Sequence, residues 1–468
     1  MVKKRIISLI RRKQIYLVYK PKAHEKLSDI AKRFSFQDPL KIYNNRKNWQ
    51  FRALNRNPGD IKRPVKLFIP VDRKHALPPH VHTVPDMASG NKVEFLIDGH
   101  EIFPSIMDAL RSAKKNINFE CYIFKNDTTG RMIADLLIEK AKQGVEVNML
   151  LDSFGSLGLD PLDQEMQDGG IKLVYAVPMN ESFTYYLRRF FQSDLVARRT
   201  KWEARGLDNR DHRKLIVIDG KVAFLGGINI GDEYSGAEGV PWHDVHIKVR
   251  GPIVSALQSH FFERWMTERG GIKGMDLQEH FPKIRRIPCG IKAGVVTTVP
   301  GVHRDILQAY LRAIANAKRY IYIEVAYLTS ARIIRALKRA RKRGVEVVLI
   351  VPTENQDVPI IESAMELAFF GMQKKGIKVL EYPDRMCHTK AAVIDDSWAT
   401  VGSANLDNRS FRRDYELNLI VWDKMFIKAL KHDLFTRDIA ISRPVRKPTF
   451  LFWSWVKSAL YLKLYRFM

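Results

Sequence analysis

Residues 212–219 read His-Arg-Lys-Leu-Ile-Val-Ile-Asp, and residues 388–395 read His-Thr-Lys-Ala-Ala-Val-Ile-Asp. After six intervening residues each phrase is followed by a short tail: Gly226-Gly227-Ile228-Asn229 in one copy, Gly402-Ser403-Ala404-Asn405 in the other. Along an extended strand, residues two apart share a face. His212 with Lys214, and His388 with Lys390, therefore point into one cleft together. Asp219 and Asp395 fall at the strand ends on the opposite face, where an acid braces the chain or a neighbouring base. They count among the candidate catalytic residues as members of the phrase.

The repetition extends upstream. Ala113-Lys114-Lys115-Asn116-Ile117-Asn118-Phe119-Glu120 is matched by Ala317-Lys318-Arg319-Tyr320-Ile321-Tyr322-Ile323-Glu324. After a helical segment in each copy, Gly144-Val145-Glu146-Val147 is matched by Gly344-Val345-Glu346-Val347. Repeated strand–helix–strand units imply an α/β fold with mixed, largely parallel sheets and helices on their faces. Two copies imply two pseudo-symmetric halves, 93–275 and 276–440, whose sheets face each other and bring both phrases to a shared seam.

Two copies of one half-site suit phosphoryl transfer by two histidines. One attacks phosphorus to form a covalent phosphohistidine; the other protonates the leaving oxygen and then activates the incoming hydroxyl. Lys214, Lys390, Asn229 and Asn405 supply fixed donors for the charge on the phosphoryl oxygens. With cations built in, no metal and no other cofactor is expected. A nucleophilic histidine also needs an acid to fix its tautomer. Asp244, in Trp242-His243-Asp244-Val245-His246, and Glu416, in Tyr415-Glu416-Leu417-Asn418, follow the two phrases at equivalent places, each before an apolar alternation. His243 and His246 are read as surface or supporting histidines, since no third ligand accompanies them.

The doubled His-x-Lys-x4-Asp phrase with its Gly-Gly-x-Asn and Gly-Ser-x-Asn tails resembles the phospholipase D superfamily over residues 93–440. Gly226-Gly227-Ile228-Asn229-Ile230-Gly231-Asp232-Glu233-Tyr234 and Asp407-Asn408-Arg409-Ser410-Phe411 are similar to bacterial cardiolipin synthases. The resemblance implies a phosphatidyl transferase that joins two phosphatidylglycerols into cardiolipin and glycerol. It implies His212 as nucleophile and His388 as general acid and base, with crosswise pairing of Glu416 to His212 and Asp244 to His388. A phospholipase D-type hydrolase would use the same residues, with water as acceptor. A metal-independent nuclease is a third reading, disfavoured because nucleases of the superfamily commonly carry one phrase per chain.

Outside the two halves, residues 1–15 are a basic lead-in and 71–92 have linker composition (Pro78-Pro79, Pro85, Ser89-Gly90). Residues 16–70 resemble a small α+β LysM module through Leu27-Ser28-Asp29-Ile30-Ala31, Asn44 and Leu67-Phe68-Ile69-Pro70, which implies a peptidoglycan contact. The formal net charge of +27 calls for a polyanionic partner. An anionic phospholipid and membrane surface is the expectation, and nucleic acid is not. No stretch approaches the roughly 20 uncharged apolar residues of a spanning helix. The aromatic and basic segment 441–468 reads equally as a helix in the headgroup region or one packed on the protein. Tyr185-Tyr186-Leu187-Arg188-Arg189-Phe190-Phe191 carries the same two readings. The expected location is the cytoplasmic face of the membrane, peripherally bound, with the cell wall or spore as the alternative. Cys121, Cys289 and Cys387 form neither a disulfide framework nor a metal spacing.

Overall fold

The computed structural model describes residues 15–19, 26–28, 67–71, 86–176, 209–237, 239–269, 277–352 and 359–445. They belong to two compact units, Met1–Val84 with Gln258–Pro282, and Pro85–Leu257 with Lys283–Met468. In the first unit β1 (Ile15–Tyr19) pairs antiparallel with β2 (Leu67–Val71), Leu17 opposite Ile69. Most of the LysM-like region lies outside the described residues, as do the 185–191 run and residues 446–468.

The second unit holds both phrases. Its chain runs β3 (Met87–Ile97), α1 (Asp98–Ser112), β4 (Asn116–Cys121), α2 (Thr128–Lys142), β5 (Glu146–Asp152), α3 (Leu162–Asp168), β6 (Lys172–Ala176), β7 (Leu215–Ile218), β8 (Val222–Gly226), α4 (Asp232–Ser235) and β9 (Val245–Arg250). Helix α5 (Ile253–Arg269) starts here and passes at Gln258 into the first unit, which also holds α6 (Leu277–His280). The order then recurs as β10 (Ile291–Val299), β11 (His303–Arg304), α7 (Asp305–Asn316), β12 (Tyr320–Val325), α8 (Ala331–Lys342), β13 (Glu346–Pro352), α9 (Pro359–Gln373), β14 (Lys378–Tyr382), β15 (Lys390–Ile394), β16 (Trp398–Gly402) and β17 (Glu416–Val421). It ends in α10 (Lys424–Leu430), a π-helical turn, α11 (Arg437–Ile441) and the edge strand β18 (Arg443–Pro444).

Reading outward from the β3–β10 pairing, one side is β9, β8, β7, β4, β5, β6 and the other is β17, β16, β15, β12, β13, β14. The same order on both sides of one pairing is a pseudo-twofold arrangement, as the repeats required. Each half has its own core. In the first, Ile106 and Leu110 of α1 and Leu137 of α2 cover Ile117, Phe119, Val147 and Met149. In the second, Tyr310 and Ile314 of α7 and Leu337 of α8 cover Ile321, Ile323, Val347 and Leu349. The Arg/Lys-rich α8 is thus an amphipathic cover, with Ile333, Ala336, Leu337 and Ala340 inward. Gly144 and Gly344, at φ of +86° and +91°, end α2 and α8 in the left-handed conformation that costs glycine little.

The sheets are mixed, but less parallel than the repeats implied. Among the strands of the described residues, β4–β5–β6 and β12–β13–β14 pair in parallel and the other strand pairings are antiparallel. The reason is connection length. Three residues separate β7 from β8 and β15 from β16, and so short a loop can only make a hairpin. Asp219 and Asp395 lie in those turns rather than in the strands, at φ of +51° and +54°. The next residues, Gly220 and Asp396, also have positive φ, and Lys221 N–H and Ser397 N–H close the turns on Ile218 and Ile394. These are type I′ turns, whose first central position suits Asp.

Candidate active site

The phrases and their acids meet by an exchange between the halves. Ahead of β7, His212 N–H donates to the carbonyl of Tyr415, 3.0 Å, the residue before Glu416. Ahead of β15, His388 N–H donates to the carbonyl of His243, 2.7 Å, the residue before Asp244. Each histidine is thereby seated on the backbone that carries the other half's acid. The side chains complete the exchange: His212 Nδ1 lies 3.0 Å from Glu416 Oε1, and His388 Nδ1 lies 2.7 Å from Asp244 Oδ2. Among the described residues neither Nε2 has a hydrogen-bond partner, so each ring keeps one nitrogen for chemistry.

Lys214 Nζ donates to His212 O (2.8 Å) and sits 5.0 Å from the centre of the Tyr122 ring. Lys390 Nζ donates to His388 O and lies 3.0 Å from His388 Nδ1. Tyr122 packs edge-on to His212 (4.8 Å); Tyr234 and Trp242 flank His388, each at 5.5 Å. The His212 side chain is 14% exposed and that of His388 8%, while both acids are fully buried.

This dry setting moves every charge. Burial holds both histidines well below 6.5, and the adjacent lysine of each phrase pushes in the same direction. Lys390 also depresses His212, and Lys214 depresses His388, so the two half-sites share one electrostatic space. Burial lowers both lysines to about 8, raises Asp244 to about 6, and raises Glu416 to about 8 against the pull of Lys214. An arriving phosphate anion adds counter-charge for both lysines.

Asp219 and Asp395 take no part in this cluster. The Asp219 carboxylate accepts from the backbone N–H of Lys114, Lys115 and Asn116, and that of Asp395 from Lys318, Arg319 and Tyr320. They lock the hairpin turns to the starts of β4 and β12, which removes them from the group that touches substrate. The asparagines differ. Asn229 accepts from Ile123 N–H and donates to Tyr234 Oη at 2.7 Å, so its carboxamide supports the ring beside His388. Asn405 is buried, and its Oδ1 has no hydrogen-bond partner among the described residues.

The tails also explain themselves. A Cβ on Gly227 would lie 2.3 Å from the Asp244 carboxylate, and one on Gly402 would lie 2.4 Å from the Asn418 side chain. The second tail carries Ser403 where the first has Gly227, and Ser403 Oγ donates to Glu416, as does Ser410 Oγ at 2.7 Å. Among the described residues Asp244 receives its neighbour Val245 N–H (2.8 Å) besides His388, and no hydroxyl. Tyr122, Tyr234, Ser403 and Ser410 were not singled out from sequence; the Gly-to-Ser difference between the tails was the available signal. His243 and His246, expected at the surface or in support, are both buried. His243 is the hub of a second cluster with Asp98, Glu324 and Asp438, whose carboxylates raise it well above 6.5 despite burial.

A family profile described as "Cardiolipin synthase, PLD-like domain" matches residues 106–265 and 310–438. The chain is 32% identical to cardiolipin synthase A of Pseudomonas syringae pv. syringae over 373 residues, 78% of this chain and 72% of the relative. It is 33% identical to a cardiolipin synthase of Staphylococcus aureus (strain N315) over 387 residues, 81% of this chain and 72% of the relative. Among solved structures, phosphatidylserine synthase of Haemophilus influenzae Rd KW20 superposes with a TM-score of 0.61 at 14% identity, covering 84% of this chain and 95% of that one. At that identity the likeness concerns the fold.

Proposed function

Since the chain belongs to the cardiolipin synthase family with phospholipase D-like domains, we propose that it transfers a phosphatidyl group between two phosphatidylglycerols. The products are cardiolipin and glycerol. The observation that carries this reading is the pair of histidines, each anchored through Nδ1 by a carboxylate of the opposite half, each with Nε2 open. Anchoring at Nδ1 orients each ring and supports the positive charge it gains in the reaction.

His212, the more exposed of the two, attacks phosphorus through Nε2, and the bond to glycerol oxygen breaks. With the phosphate anion bound, His388 carries a proton on each ring nitrogen; it delivers the Nε2 proton to that oxygen, and glycerol leaves. The hydroxyl of a second phosphatidylglycerol then gives its proton to His388 Nε2 and attacks phosphorus. The phosphorus–nitrogen bond breaks and free His212 returns. Lys214, Lys390 and the amide N–H of Asn405 donate to the phosphoryl oxygens in both steps. In the hydrolase alternative, water enters in the second step and phosphatidic acid forms.

The protein acts at the cytoplasmic face of the membrane, held peripherally. The net charge of +27 supports binding to anionic lipid. No helix among the described residues is long and apolar enough to cross a bilayer. Purified protein on phosphatidylglycerol vesicles should release glycerol and accumulate cardiolipin. Phosphatidic acid as the sole lipid product would replace the transferase reading with the hydrolase one.

A further inference from the structure

The cluster around His243 is separate from the reacting atoms, and its chemistry is unused by the transfer reaction. His243 Nε2 lies 3.1 Å from Glu324 Oε1 and 3.1 Å from Asp438 Oδ2. One ligand atom from each of these three buried residues lies within 4.8 Å of the other two. Glu324 Oε2 is buried with no hydrogen-bond partner, a carboxylate oxygen left open in a site without water access. On its far side, His243 Nδ1 is held at 2.8 Å by Asp98, which Arg385 fixes in turn at 2.7 Å. A carboxylate on the distal nitrogen is how proteins orient a histidine that ligates a metal. The ring also stacks on Tyr382, 4.4 Å between centroids and 4° from parallel, which restrains it.

The other half answers the same need differently. Glu120, the repeat counterpart of Glu324, has the guanidinium of Arg213 at 3.9 Å. Thr389 stands where Arg213 would be, so the second half lacks that cation and adds a further acid, Asp438. Two touching buried carboxylates then share a single imidazole. We propose that His243 Nε2, Glu324 and Asp438 form a binding site for one divalent transition-metal ion of the zinc or cobalt type. Imidazole with two carboxylates suits such ions. A bound dication with the two carboxylates and a neutral imidazole forms a set of zero net charge. The ion secures the segment that seats the second half-site, because His243 O receives His388 N–H and Asp244 is the next residue.

The test uses the full-length protein, stripped with chelator and titrated with zinc or cobalt alone. One equivalent per chain should bind, cobalt should give a ligand-field spectrum, and bound metal should raise the melting temperature. Glu324→Gln and Asp438→Asn should lose the stoichiometric site. Asp98→Asn should weaken it by roughly 10–100-fold, as loss of an orienting partner does. His243→Arg, which supplies a cation but no ligand, should fold by near-ultraviolet circular dichroism and bind no metal. The proposal is overturned if wild type takes up no stoichiometric metal, or if His243→Arg or Asp438→Asn binds it as wild type does. In the first case the cluster is held by an imidazolium alone.

Discussion

The two half-sites share a backbone plan and differ in what surrounds each acid. Glu416 is held by two serine hydroxyls as well as by His212, whereas Asp244 has one backbone N–H and His388, with its carboxylate packed directly against Gly227. His212 lies against Tyr122 and is the more exposed; His388 is enclosed by Tyr234 and Trp242. A carboxylate fixed on several sides suits a histidine that must hold one geometry while it carries a phosphoryl group. A less tethered acid, raised only to about 6, suits a histidine that passes a proton back and forth. The duplicated motif therefore supplies one frame, and the residues beside it assign the work.

The division can be broken hardest at the histidines. His212→Ala should lower transfer by roughly 10⁴-fold or more, as removal of a nucleophile does. His388→Ala should be similarly slow on phosphatidylglycerol. It should recover much of the first step on a phosphatidyl ester of p-nitrophenol, whose leaving group needs no acid, and His212→Ala should not. Release of p-nitrophenol measures the difference, and equal recovery would erase the assigned roles. Next in size is Gly227→Ala, whose methyl would displace the Asp244 carboxylate and with it His388. Crowding of that kind costs about 1–3 kcal/mol of stability, and a loss of roughly 10²-fold in kcat should accompany it by the same displacement of an acid–base group. Thermal melts and initial rates read both.

Ser403→Ala should be milder. It removes one hydroxyl from a carboxylate that keeps Ser410, so a loss of about tenfold in kcat follows from one charge-assisted bond. The smallest test leaves the protein intact. A plot of kcat/KM against pH should rise through about 6, as Asp244 loses its proton and becomes an acceptor for His388 Nδ1–H. It should peak near 8, where Glu416 ionises to accept from His212 Nδ1–H, and fall above that as the buried Lys214 and Lys390 give up theirs. Asp244→Asn should abolish the rise through about 6 and leave the alkaline limb.

Much of this was legible in the chain. The repeats gave both βαβ units, and the two phrases gave the His and Lys positions. Asp244 and Glu416 stood out because each follows its phrase just before an apolar alternation. What escaped was set by contacts that sequence neighbours do not share. The His212–Glu416 and His388–Asp244 pairs join residues 204 and 144 apart. The His243 cluster draws its members from four separate segments, so no local spacing announced it. The hairpin placement of Asp219 and Asp395 was hidden for a different reason. Strand alternation and a type I′ turn both accept an apolar run ending in Asp, and only the positive φ tells them apart.

The crossed seating of the histidines has a consequence for how the protein is made. Chains emerge from the ribosome N-terminus first, and their domains tend to fold in that order. The first half can complete its core while Tyr415 and Glu416 have yet to be synthesised, so His212 then has neither its backbone anchor nor its acid. Catalysis is therefore born only when the second half docks. A truncated product ending before residue 416 could form the first core and still be inert toward the lipids around it.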